Sequence, residues 1–189
     1  SGGSILEYRR VKYLNSKFII ISYDGGFFTS SDGLSWEKTT CIVSCTNGNC
    51  CDDIIFVNGT YYISGRYSYY STDESTWNTY DCDGNQRSHG LNYGNNLFVN
   101  IERNNICTST NGTSNWTKYT QSTDVLYRTI YGNELHIVVG SNNSSEDEGV
   151  IIKSSDGSTW STVSTGTIGS LRGLTYQNNM FLTVGTGGT

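Results

Sequence analysis

Five of the chain's seven arginines, Arg9, Arg10, Arg87, Arg128 and Arg172, stand just before or within short apolar runs that are far apart in the chain. A guanidinium presents a planar fork of donors that matches a carboxylate with two parallel hydrogen bonds. Arginines gathered by the fold would therefore bind an anionic sugar or a carboxylate, and Arg10, Arg87, Arg128 and Arg172 are the candidate ligand residues. The competing reading pairs the same guanidiniums with neighbouring carbonyls and acids, as buried donors require. His89, close to Arg87, is the candidate base. His136 stands where corresponding segments carry an aromatic ring, and so reads as a packing residue. No G-x-S-x-G, H-E-x-x-H or phosphate loop occurs, and the expectation is a protein without catalytic function and without a cofactor.

Six cysteines, Cys41, Cys45, Cys50, Cys51, Cys82 and Cys107, form an even set. Disulfides are the simplest reading. A zinc site is the rival, though the spacing lacks paired C-x2-C units and neither histidine is near in sequence. Sequons at Asn58, Asn111, Asn115, Asn142 and Asn143 agree with the cysteines in pointing to a secreted, glycosylated protein. The acidic stretch around Glu146, Asp147 and Glu148 reads as a solvated loop, because calcium loops alternate ligands with spacers. A net charge of −5 argues against nucleic acid as partner. No apolar run has the length of a membrane helix, so insertion into a membrane is not expected.

The elements that would position these residues show themselves as repeats. "SSDGLSW" (Ser30, Asp32, Gly33, Trp36), "STDESTW" (Ser71, Asp73, Trp77), "STNGTSNW" (Ser109, Asn111, Gly112, Trp116) and "SSDGSTW" (Ser154, Asp156, Gly157, Trp160) recur about every forty residues, the mark of a repeat architecture. A second signal runs in step: "YLNSKF" from Tyr13, "FVNGTY" from Phe56, "YGNNLF" from Tyr93, "YGNELH" from Tyr131 and "YQNNMF" from Tyr176. Each joins two apolar or alternating runs, and Asn accepts positive φ, so each reads as a β-hairpin. A third run, the Ser-Asp loop and a fourth run starting at tryptophan complete four strands per repeat, which is a propeller blade. The repeats run over about 9–40, 51–83, 87–120, 126–165 and 171–189. In such a blade the Asp side chain accepts hydrogen bonds from N–H groups ahead of it, Gly takes the left-handed position, and the indole packs between blades.

The four loops resemble the Asp-box, or BNR repeat (S-x-D-x-G-x-T-W), of sialidases, sortilin-type receptors and many secreted β-propellers. Glu74 replaces Gly in the second copy and Asn111 replaces Asp in the third. The resemblance implies that these residues are structural and lie away from the ligand face. A sialidase-like arginine cluster is the enzymatic expectation it carries, but no Tyr and Glu pair is marked as catalytic. Aromatics such as Tyr67, Tyr69, Tyr70, Tyr119 and Tyr127 are offered either to sugars or to packing between blades.

The two signals differ in number, with five hairpins but four Ser-Asp loops, so the last blade lacks its outer half. The expectation is an all-β, five-bladed propeller of four-stranded antiparallel blades. Ile5, Leu6, Glu7 and Tyr8 would complete the last blade, in cis to close the ring or in trans to link copies into a fibre. A boundary cut from a longer array is the alternative. The functional expectation is a secreted structural or adhesion module whose partner is itself or another extracellular protein, with a glycan as the second partner class.

Overall fold

A computed structural model describes residues 8–23, 25–39, 50–82, 84, 87–120, 124–142, 148–163, 166 and 169–187. The chain divides into two compact units, Ser1–Tyr80 and Asp81–Thr189. The first unit holds two four-stranded antiparallel sheets. One is β1 (Tyr8–Leu14), β2 (Lys17–Ser22), β3 (Phe27–Ser30) and β4 (Glu37–Thr39); the other is β5 (Asp53–Val57), β6 (Thr60–Ser64), β7 (Ser68–Ser71) and β8 (Asn78–Tyr80). The second unit holds two more. The third sheet is β9 (Ser88–Gly94), β10 (Leu97–Glu102), β11 (Asn105–Ser109) and β12 (Thr117–Thr120), and the fourth is β13 (Asp124–Gly132), β14 (Leu135–Asn142), β15 (Glu148–Ser154) and β16 (Ser161–Val163). A fifth, small sheet pairs β17 (Leu171–Gln177) with β18 (Met180–Gly185). In every sheet the strands neighbour one another in chain order.

The hairpin signals explain why the strands turn where they do. Both central residues of each first turn have positive φ: Asn15 and Ser16, Asn58 and Gly59, Asn95 and Asn96, Asn133 and Glu134, Asn178 and Asn179. That is the type I′ geometry, whose twist matches the flanking strands and which Asn tolerates best after Gly. The rings on either side of each turn then meet across the strands. Tyr13 and Phe18, Phe56 and Tyr61, Tyr93 and Phe98, Tyr131 and His136, and Tyr176 and Phe181 have centroids 4.9, 4.5, 4.6, 4.7 and 4.6 Å apart. The glycine after the first ring has a steric reason in the second unit. A Cβ on Gly94 would stand 2.0 Å from the Tyr131 ring, and one on Gly132 would stand 2.4 Å from the Tyr176 ring, so the tyrosine of each following sheet lies over a bare backbone.

The core is built where sheets face each other. In the first unit Ile19, Ile21 and Phe27 pack with Ile54, Tyr61 and Ile63. In the second, Val99 and Ile101 pack with Leu126, Val138 and Ile152, while Ile137 and Val139 pack with Leu171, Leu174 and Phe181. His136 is only 1% exposed and neither ring nitrogen has a hydrogen-bond partner. Burial pushes its pKa down to about 4, because the charged imidazolium cannot be solvated there. It is a packing ring.

Two expectations need correction. Tyr8 is not part of a separate closing strand: it pairs with Ser22 as the first residue of β1. Its neighbours Ile5, Leu6 and Glu7 lie outside the described residues, as do Cys41, Cys45 and Asn143. The last sheet has the two strands expected of a half blade, but no described strand completes it, so the described residues form four four-stranded sheets and a fifth of two strands.

Candidate ligand-binding face

Each four-stranded sheet has two different ends. At the hairpin end lies the loop between its third and fourth strands, and all four loops are wired alike. Ser30 Oγ accepts from the N–H groups of Asp32 and Gly33 and donates to Asp32 Oδ1, which accepts in turn from Leu34 and Ser35 N–H, both at 2.8 Å. Ser71 with Asp73, Ser109 with Asn111, and Ser154 with Asp156 repeat the pattern. The indoles of Trp36, Trp77 and Trp160 donate to the carbonyls of Gly33, Glu74 and Gly157. All four tryptophans are half-buried. Two donated N–H groups hold the Asp32 carboxyl down at about 2, and the same cause lowers Asp73 and Asp156 further.

The seryl hydroxyl, which knots each loop from within, carried no signal apart from its repetition. The two irregular copies are also explained. Glu74 adopts φ 62° where the others have Gly33, Gly112 and Gly157 at 76°, 74° and 71°. Its carboxylate receives Lys17 Nζ at 2.6 Å on both oxygens, which ties the second sheet's loop to the first sheet. Asn111 supplies the same acceptor as Asp through its amide oxygen.

At the opposite end the first strand of four of the five sheets carries an irregularity. The register shifts between Tyr8 and Arg10, between Leu126 and Arg128, between Leu171 and Gly173, and, opposite Ile101 and Glu102, between Ser88 and Gly90. The extra residues are Arg9, His89, Tyr127 and Arg172, each four before its hairpin ring. In the second sheet Asp52 stands at that same offset, and its N–H reaches the carbonyl of Ser64, the residue opposite Asp53. A bulge bends the strand and re-aims one side chain out of the ladder.

Within the second unit three of these side chains adjoin. The His89 and Tyr127 rings meet edge-on at 6.4 Å, and the Arg172 guanidinium lies 4.5 Å over the Tyr127 ring. Arg172 is exposed, and His89 and Tyr127 are half-buried. Stacking holds the guanidinium flat by cation–π attraction and directs its N–H donors edgewise. Arg128 supports the row from behind: Nη1 donates to His89 O at 2.8 Å and to Tyr127 O at 2.6 Å. The row is a cationic and aromatic strip whose chemistry suits a carboxylate.

The sequence candidates thus separate. Arg172 and His89 fall in the row, and Arg128 braces its backbone. Arg10 lies in the first unit, 4.0 Å from Asp53, which Lys12 approaches at 2.6 Å. Arg87 is half-buried, one residue before β9. Of the named aromatics, Tyr69 is buried, Tyr119 packs on the core and Tyr127 enters the row. Cys82 and Cys107 are joined in a disulfide, and Cys50 is also disulfide-bonded. The Cys82 and Cys107 sulfurs lie within 4.8 Å of a Glu102 carboxylate oxygen, but sulfurs joined to each other are not the thiolates that bind zinc. Asn58, Asn111, Asn115 and Asn142 are exposed.

No protein-family model matches the sequence, and no curated protein matches it either. Solved structures do match the fold. One is "YCF48 bound to D1 peptide", with a TM-score of 0.66 and 14% identity over 98% of this chain and 62% of that one. Another is the Pan2 WD40 domain of Neurospora crassa, at 0.70 and 12% over 94% and 56%. A third is an ancestral GH74 enzyme, at 0.71 and 15% over 95% and 27%. The chain has a β-propeller fold. Its sheets are the blades, and it spans less than two thirds of the length of each of these neighbours. At such identities the likeness carries fold and no activity.

Proposed function

We propose that this propeller is a non-enzymatic extracellular adhesion module of the Asp-box kind, whose bulge end recognises a carboxylate-bearing segment of a partner protein. The observation that carries the reading is the row of Arg172, Tyr127 and His89, three side chains from adjacent blades re-aimed by the same backbone device. The Ser-Asp loops resemble the box by sequence and lie at the other end of each blade, where a structural motif belongs. The Cys82–Cys107 disulfide and the exposed sequon asparagines support an oxidising, extracellular setting. A peptide bound to YCF48 is consistent with a protein partner for this fold.

The test is an array carrying acidic peptides beside sialylated and neutral glycans, probed with the wild-type chain, Arg172→Ala and His89→Ala. Binding to carboxylate-bearing peptides is expected to weaken about tenfold in Arg172→Ala, with an unchanged melting temperature. Binding confined to the glycans would replace the protein partner with a lectin role. Turnover of a sialoside, or binding indifferent to both substitutions, would refute the reading.

A further inference from the structure

Wherever one blade is followed by another within the same unit, a fixed set of side chains forms the join. On the trailing face these are Ile19 and Ile21 in the first blade, Val99 and Ile101 in the third, and Ile137 and Val139 in the fourth. The same two places in the fifth sheet, counted from its hairpin, are Leu182 and Val184, with Met180 one step nearer the turn. The earlier residues are buried, whereas Met180, Leu182 and Val184 are 65%, 57% and 61% exposed.

The first blade shows the complementary omission. On the leading face, Leu171, Leu174 and Tyr176 of the fifth sheet adjoin the fourth blade, packed on its core or lying over Gly132. Their counterparts in the first blade are Tyr8, Val11 and Tyr13. These are 57%, 63% and 62% exposed. Contiguous apolar side chains left open in this way mark an interaction surface.

We infer that the trailing face of the fifth sheet in one copy packs on the leading face of the first blade in a second copy, so that the chain associates head to tail. The internal joins specify the occupant, since each open face already has its complement within the same polypeptide. They also specify a loop contact. Lys17 grips the Glu74 loop of the next blade, and Leu97 lies against the Gly157 loop of its successor. Met180 is the equivalent of Lys17 and Leu97, and the loop it would meet is that of Gly33, where Leu34 is 86% exposed. Two different faces meet in such a contact, so it is heterologous and adds copies in succession, as an open chain or a closed ring according to its rotation. It uses sheet faces and not an exchanged terminal strand, and it is independent of the carboxylate row.

Sedimentation velocity over a range of concentrations tests this with two variants at exposed positions, Leu182→Glu and Val11→Glu. Far-UV circular dichroism confirms that both retain their sheets. The wild-type chain is expected to grow past dimer as concentration rises, and each variant alone to remain monomeric. An equimolar mixture of the two is expected to give a one-to-one dimer and nothing larger, because one variant keeps an intact head and the other an intact tail. A wild-type chain that stays monomeric throughout, variants that assemble like wild type, or a mixture that stays monomeric would each overturn the inference.

Discussion

The two ends of a blade obey different rules. At the hairpin end the side chains repeat along with the backbone: Ser30, Ser71, Ser109 and Ser154 make the same bonds to Asp32, Asp73, Asn111 and Asp156. At the bulge end the position repeats but the side chain changes, through Arg9, Asp52, His89, Tyr127 and Arg172. A constant residue on a constant backbone is the signature of a structural requirement, since each copy closes the same loop. A varied residue on a constant backbone leaves a presentation device free to take the chemistry that a ligand demands. The contrast teaches that the bonds closing each loop are concentrated at one end, and that the other end fixes a position while leaving the residue type free.

That contrast can be broken most forcefully in the joins beneath the hairpins. Gly94→Val forces a side chain into the Tyr131 ring and is expected to cost about 3 kcal/mol by overpacking, read from urea denaturation. Ser154→Ala removes the hydroxyl that two buried or half-buried N–H groups depend on, and a loss of about 1 to 3 kcal/mol is expected by the same measurement.

His136→Phe should act in the opposite direction, because it restores the ring found at Phe18, Phe98 and Phe181 and removes two nitrogens without partners. A gain of about 1 kcal/mol is expected near neutral pH. Its pH dependence has a definite sign. With a folded pKa near 4 and an ordinary value of 6.5, the unfolded chain binds the proton first. Stability is then whole above pH 6.5 and falls as pH drops toward 4, and the phenylalanine variant should lose that slope in a melting series. Asp32, lowered from 3.8 to about 2, contributes in the same sense at lower pH: its stabilisation is present above 3.8 and lost as pH falls through 2. The smallest expected effect is the Lys17 and Glu74 pair. A double-mutant cycle should return roughly 0.5 to 1 kcal/mol, as for partly exposed ion pairs.

Much of the hairpin end was legible in the sequence, because repetition makes short-range chemistry visible. Asn-containing turns, cross-strand rings and Ser-Asp loops all act within a few residues, and five or four copies separate signal from accident. The bulges were not legible. An extra residue in a strand depends on pairing with a partner strand, and the bulged Arg9, His89, Tyr127 and Arg172, with Asp52 at the same offset, share no single residue type that would reveal their common place. The arginines drew attention by charge, yet charge alone did not distinguish Arg172, exposed over Tyr127, from Arg128, whose guanidinium is spent on two carbonyls. Nor did apolar patterning show that the Leu182 face and the Val11 face would be left open, since both read like the buried faces they resemble.

An alanine scan followed by thermal denaturation addresses the division between the ends most directly, with Ser30, Ser71, Ser109 and Ser154 compared with His89 and Arg172. Each serine replacement is expected to lower the melting temperature by several degrees, while the two bulge replacements stay within about 0.5 kcal/mol of wild type. Serine variants that melt like wild type, or bulge variants that melt well below it, would contradict the account.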